Sequence, residues 1–153
     1  MFTPAAFIFV FLGNFAAGTA FGAICDGIFL RQLGPTSVSA DQILSYKIQV
    51  VNEGACNLEG VQVTDYLPRR TLYREGQPTP SQVPSDRPAP RDHLPVHQVQ
   101  WMGVHLPPRG GSAVFEVKVL VLSPGKRTIT DTACLEHPSS VRICNTIDFW
   151  VND

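Results

Sequence analysis

Two stretches decide the fold class: SYKIQVVNEG, Ser45 to Gly54, and VQVTDYLP, Val61 to Pro68. Tyr46, Ile48 and Val50 fall on one side of a period-2 alternation, with Ser45, Lys47 and Gln49 on the other, the pattern of a half-buried β-strand. Asn52 and Gly54 tolerate positive φ, so this strand ends in a tight turn. A second strand starts near Val61 and stops at Pro68.

Short strands continue in both directions. Ile28 to Leu33 reads as the first, Gln42 to Asn52 as the second and Val61 to Asp65 as the third, with Thr71 to Arg74 as a short extension of it. They resume at His97 to Met102, Ser112 to Leu122, Thr128 to Leu135 and Val141 to Val151. No segment keeps a helical period. About seven strands separated by turns predict an all-β chain, an antiparallel immunoglobulin-like β-sandwich. Tyr46, Trp101, Phe115 and Phe149 are predicted structural core, with Val99, Val117, Val119, Ile129 and Ile147 helping to fill a gap of about 10 Å between sheets.

From Gly76 to Pro95 the chain carries Pro78, Pro80, Pro84, Pro88, Pro90 and Pro95. Such a segment cannot keep a ladder of N–H donors, and it is expected to be an extended, exposed loop. Long loops on rigid scaffolds are where binding concentrates, so Arg87, Arg91 and Asp92 are candidate binding residues. An O-glycosylated, unstructured segment is the competing reading.

The 153 residues are 44% hydrophobic and 16% charged, enough apolar material for one folded domain. A formal net charge of -1 provides no basic field for nucleic acid or an anionic membrane. The one Arg-Gly-Gly triplet, Arg109 to Gly111, reads as a turn. Residues 1–22 read as a signal peptide cleaved near 20–22: Phe7 to Leu12 is an apolar run, and Gly18-Thr19-Ala20 or Ala20-Phe21-Gly22 provides the small residues. Glycines and Asn14 interrupt the apolar stretch short of the roughly 20 residues a membrane span needs. Residues 23–153 are then a single domain without a membrane span, secreted or at a cell surface. No hydrophobic tail for a lipid anchor follows the last strand, and no Asn-x-Ser/Thr sequon occurs.

Four cysteines remain after the leader: Cys25, Cys56, Cys134 and Cys144. An even count in a secreted chain points to two disulfides. Ile129, Ala133 and Leu135 share one face of their strand, leaving Cys134 on the other; Ile143, Ile147 and Phe149 likewise leave Cys144 outward. A cross-strand Cys134–Cys144 bridge is therefore predicted, and Cys25–Cys56 follows by elimination. No Cys-x-x-Cys exists and His93 and His97 flank prolines, so neither metal nor other cofactor is expected.

The strand order carries a resemblance. Tyr46 with Asn52 and Gly54, then Asp65 with Leu67 and Pro68, then Trp101 with Leu106, Pro107 and Gly110, and finally Thr130 to Ala133 follow one another over roughly Phe29 to Val151. This resembles the repeat domain of unknown function found in bacterial and archaeal cell-surface proteins and in the large cysteine-rich outer-membrane protein of chlamydiae. The chain has room for one copy, and Asp131 stands where that family commonly has Asn. The resemblance implies an extracellular structural or adhesive module with no catalytic residues.

Catalytic patterns are missing from the sequence: there is no Gly-x-Ser-x-Gly, phosphate-binding glycine loop or His-Glu-x-x-His. His97 and His105 read as structural, His93 and His137 as loop residues. The expected function is a secreted, non-enzymatic module binding a protein or surface polymer. The alternative is a secreted effector or toxin-like protein acting on a host, for which Arg31-Gln32-Leu33-Gly34 resembles, without its last Arg, the translocation motif of oomycete effectors. A small hydrolase is the weakest reading.

Overall fold

The computed structural model describes residues 26–84, 97–122, 125–138 and 142–152. Among them are nine strands: β1 (Ile28–Leu33), β2 (Ser37–Ser39), β3 (Ile43–Asn52), β4 (Leu58–Tyr66), β5 (Thr71–Gln77), β6 (Gln98–Leu106), β7 (Gly111–Val121), β8 (Arg127–Glu136) and β9 (Ile143–Asn152). They form an immunoglobulin-like sandwich of a four-stranded sheet, β1-β3-β7-β5, and a five-stranded sheet, β2-β9-β8-β4-β6. All pairings are antiparallel except that of β2 with β9.

Strict alternation explains the centre of the first sheet. Leu44, Tyr46, Ile48 and Val50 of β3 and Phe115, Val117, Val119 and Val121 of β7 all point inward and are buried. From the other sheet Val61, Val63, Val99, Ile129, Phe149 and Val151 meet them. Two tilted ring pairs fill the gap, Trp101 on Phe115 at 4.7 Å between centroids and Tyr46 on Phe149 at 5.5 Å.

The count of nine, against about seven expected, has two causes. The three-residue β2 is too short to show a period, and it forms because the chain leaves the first sheet after β1 and crosses to the edge of the second. Gly34 permits that crossing: an added Cβ would lie 2.8 Å from Phe149 Cε1 and 3.0 Å from Tyr46 Cβ. Thr71 to Arg74, read as an extension of the third strand, belongs instead to β5 in the opposite sheet. The turn Pro68-Arg69-Arg70, with Arg70 at φ 62, redirects the chain.

The proline-rich loop also starts later than Gly76, since Gly76 and Gln77 complete β5. Beyond it the chain does not leave the domain at once. Ser81 N donates to Gln100 O at 2.8 Å, Gln100 N to Gln82 O at 3.0 Å, and Met102 N to Ser81 Oγ at 3.0 Å, which covers part of the outer edge of β6. Trp101 Nε1 donates to Pro78 O at 2.7 Å, giving the buried indole its partner.

Asn52, at the end of β3, organises one pole of the sandwich. Its buried Nδ2 donates to the carbonyls of Cys56, Leu106 and Pro107 at 2.8, 3.0 and 3.1 Å, and its Oδ1 accepts from Gly54 N at 3.1 Å. Gly54 has no room for a side chain, because a Cβ there would stand 2.1 Å from Asp26 O. Replacing Asn52 by Ala strips several buried carbonyls of their donor at once. Asn52→Ala is expected to destabilise by roughly 2–4 kcal/mol, read as a lower urea midpoint at unchanged m-value; a loss below about 0.5 kcal/mol would contradict this account.

Candidate functional site

The densest chemistry among the described residues lies inside the sandwich. Tyr46 on β3 and Gln32 on β1 reach from one sheet toward Asp65 on β4 and Asp131 on β8 of the other, and all four are buried. Tyr46 Oη lies 2.7 Å from Asp65 Oδ2 and 2.9 Å from Asp131 Oδ1. Gln32 Nε2 donates to Asp131 Oδ2.

A phenol has one proton and cannot donate to two carboxylates at once. One of the two contacts therefore carries a carboxyl proton. Burial raises the pKa of Asp65 well above the usual carboxylate range, and the charge of Asp131 adds to the effect. Burial also raises Asp131, to about 6, less far because hydrogen bonds from Asp65, Tyr46 and Gln32 favour its charged form. Tyr46 Oη thus bridges the two carboxyls in a hydrogen-bond relay, and Asp131 is the one whose neighbours favour the charged form. Burial and both carboxyls hold the Tyr46 proton in place by raising its pKa well above 10. Among the described residues, Asp65 Oδ1 and Gln32 Oε1 have no hydrogen-bond partner. Among the described residues all four side chains are buried in the core, so the group has the acid–base parts of an active site in a geometry that fits a lock between sheets.

The proposed disulfide residues lie apart from it. Cys134 and Cys144 stand directly opposite on β8 and β9 and are bonded to each other. Both lie on the outer face, yet only Cys144 is exposed. Arg142 covers Cys134: its Nη2 lies 3.5 Å from Cys134 Sγ and donates to Tyr66 Oη at 2.8 Å, while Nε pairs with Glu136 at 3.0 Å. Cys56 is disulfide-bonded; Cys25 lies outside the described residues, as do Arg87, Arg91, Asp92, His93 and the leader. His97 Nε2 meets Thr71 O at 2.7 Å and His105 Nε2 meets Asn57 Oδ1 at 2.7 Å, both local ties. Among the described residues no three His, Cys, Asp or Glu side chains converge as metal ligands, and no helix is long and apolar enough to cross a membrane.

In the sequence Asp65 and Asp131 stand out only as positions of the family resemblance and Gln32 only within Arg31-Gln32-Leu33-Gly34, none of them as part of a buried polar group. Their signal was phase: Asp65 shares the inward parity of Val61 and Val63, and Asp131 that of Ile129 and Ala133.

No protein-family model matches the chain, and no curated protein matches it in sequence. Solved structures show the fold. The CARDB domain of a Pyrococcus furiosus protein, crystallised in complex with di-metal ions, superposes with a TM-score of 0.52 at 14% identity, covering 82% of this chain and 93% of that one. AvmM, which catalyses macrocyclization in alchivemycin A biosynthesis, gives 0.51 at 12% identity over 85% and 91% of the two chains. Spo0M, a sporulation control protein of Bacillus subtilis, gives 0.50 at 11% over 82% of this chain and 49% of its own. At these identities the likeness is one of architecture.

Both carboxyls bind their proton more tightly folded than unfolded, so their contribution is fully present below the unfolded carboxylate range, about pH 4, and is lost as pH rises through the folded values. Between the unfolded range, about pH 4, and about pH 6, where Asp131 ionises, stability therefore falls as pH rises, by up to about 1.4 kcal/mol per pH unit for each raised carboxyl. Asp65→Asn, neutral and still able to hydrogen-bond Tyr46, removes one of the two raised carboxyls and is expected to flatten that fall in urea titrations between about pH 4 and 6; an unchanged slope would contradict this account. Independently, Cys134→Ala with Cys144→Ala opens a loop of sequence separation 10 and is expected to cost roughly 3 kcal/mol by chain entropy, measured by the same titration at pH 7.

Proposed function

We propose that the chain is a secreted, disulfide-bonded immunoglobulin-like module that works without catalysis, by binding a protein or surface polymer or by contributing to an extracellular layer. The observation that carries this reading is the enclosure of the Tyr46–Asp65–Asp131 group: among the described residues the one acid–base constellation is committed to holding the sheets together. The Cys134–Cys144 bond supports an oxidising compartment, since such bonds rarely persist where glutathione keeps thiols reduced. The apolar run in residues 1–22 supports export.

A secreted effector shares these traits and differs in destination. Fractionation of cells producing the full chain with a C-terminal tag separates the two. The module reading expects a processed protein in the envelope fraction or medium, retained on isolated surface polymer. Recovery inside a host cell would replace it with the effector reading.

A further inference from the structure

A cleft of ≈ 370 Å³ opens beside the end of β8, lined by Arg69, Arg70, Arg127, Thr128, Ile129 and Thr130. We propose that it binds the acidic groups of a polysaccharide, with Trp150 offering a stacking face beside it; this deepens, and rests on, the reading of the chain as a surface-binding module.

Charge is the first argument. The chain as a whole carries -1, yet three arginines line this cleft, and no acidic side chain lines it among the described residues. The nearest outward acid on the neighbouring strand, Asp148, accepts from Thr130 Oγ1 at 2.6 Å. Arg69 and Arg70 are exposed and make no side-chain hydrogen bond or ion pair with the described residues. Arg127 is half-buried, and its Nη2 donates to Leu122 O at 2.7 Å, which fixes it in the wall. Arginines paired with carboxylates elsewhere would have no charge to spare; these two do.

Backbone geometry is the second. Arg70 sits at φ 62, a conformation that Gly or Asn adopts at less cost. The turn is pinned from both sides, by Thr71 Oγ1 donating to Pro68 O at 2.7 Å and by Leu122 N donating to Arg70 O at 2.8 Å. Two neighbouring arginines are thus carried on a held turn, which fixes where their side chains start while leaving the guanidinium groups to close on oxygen anions.

The third argument selects the ligand. Thr128, in the cleft wall, stands directly opposite Trp150 on β9, and both point outward; the indole is 45% exposed. An inorganic anion gains nothing from an indole face, whereas the apolar face of a sugar ring packs against it while the ring's carboxylate or sulfate takes the guanidinium forks. Trp and Arg are also the side chains that dominate binding energy at protein surfaces.

Calorimetry on the disulfide-bonded protein at low ionic strength tests this with a tetra-galacturonate, a neutral tetrasaccharide, inorganic sulfate and a short polyphosphate. The expected result is binding of the uronate and none of the neutral sugar. Arg69→Ala with Arg70→Gly should weaken it roughly tenfold or more, and Trp150→Ala severalfold. Arg70→Gly places glycine at a positive φ, so folding is preserved, and an unchanged or higher Tm keeps the loss attributable to the charges. Arg109→Gly is the matched control: it has φ 59 and precedes the opposite end of β7, and affinity should not change. Absence of uronate binding by the native protein, or equal affinity in the double arginine variant, would overturn the proposal. Equal affinity for polyphosphate, unaffected by Trp150→Ala, would overturn its sugar part. Retention on surface polymer without any effect of the arginine variants would remove this site while leaving the module reading intact; no retention would remove the reading itself.

Discussion

The sandwich depends on one buried hydroxyl shared by two carboxyls. Apolar side chains drive the two sheets together but discriminate poorly between neighbouring alignments, because hydrophobic groups of similar size substitute for one another. The Tyr46 hydroxyl does discriminate. It must lie within hydrogen-bond reach of Asp65 and Asp131 simultaneously, and burying either carboxyl without its partner carries a large desolvation cost. A slip of β4 or β8 by one residue would turn its aspartate to the opposite face. The polar trio therefore selects one mutual position of the sheets, and the surrounding apolar packing gains its full value only there. Whether such a group raises net stability is a separate matter from its specificity, since a well-packed apolar replacement can be as stable.

The two poles are secured differently. At the Asn52 end, one amide ties the turn after β3 to the segment between β6 and β7. At the Arg70 end, the chain is held by backbone and hydroxyl contacts to Leu122 and Pro68, which leaves the arginine side chains uncommitted. Edge strands are blunted as well. Residues 81 and 82 pair along β6, β2 is three residues long, and the edge strand β5 carries a register shift between Tyr73 and Glu75. On the edge strand β1, Phe29 is 54% exposed on the outer face of the sheet.

What the sequence made legible was what is periodic. Alternation located β1, β3, β7, β8 and β9 within a residue or two, and strand phase placed Cys134 against Cys144. It could not find β2, whose three residues show no period, nor the sheet to which Thr71–Gln77 belongs, because the turn conformation at Arg70 decides that. The interior polar group was half-visible: carboxylates on inward phases were present to be noticed, but their convergence with Tyr46 and Gln32 depends on four strands from two sheets. The meeting of Arg69 and Arg70 with Arg127 is equally non-local, joining positions more than fifty residues apart.

Function then turns on where polar chemistry is left uncommitted. The opening strand reads as scaffold, and the structure adds that its tyrosine holds a proton relay away from solvent. A fold of this kind hosts many activities, so architecture cannot assign one; access can. Carboxyls sealed in a core serve register, whereas Arg69 and Arg70, carried on a pinned turn and without a side-chain partner among the described residues, stay available to a ligand. On a chain whose total charge nearly cancels, such a local excess is felt only at short range, within about a Debye length at physiological salt. Recognition through it would depend on close fit of an acidic group into the cleft rather than on long-range attraction, which is what the proposed binding of an acidic polymer requires.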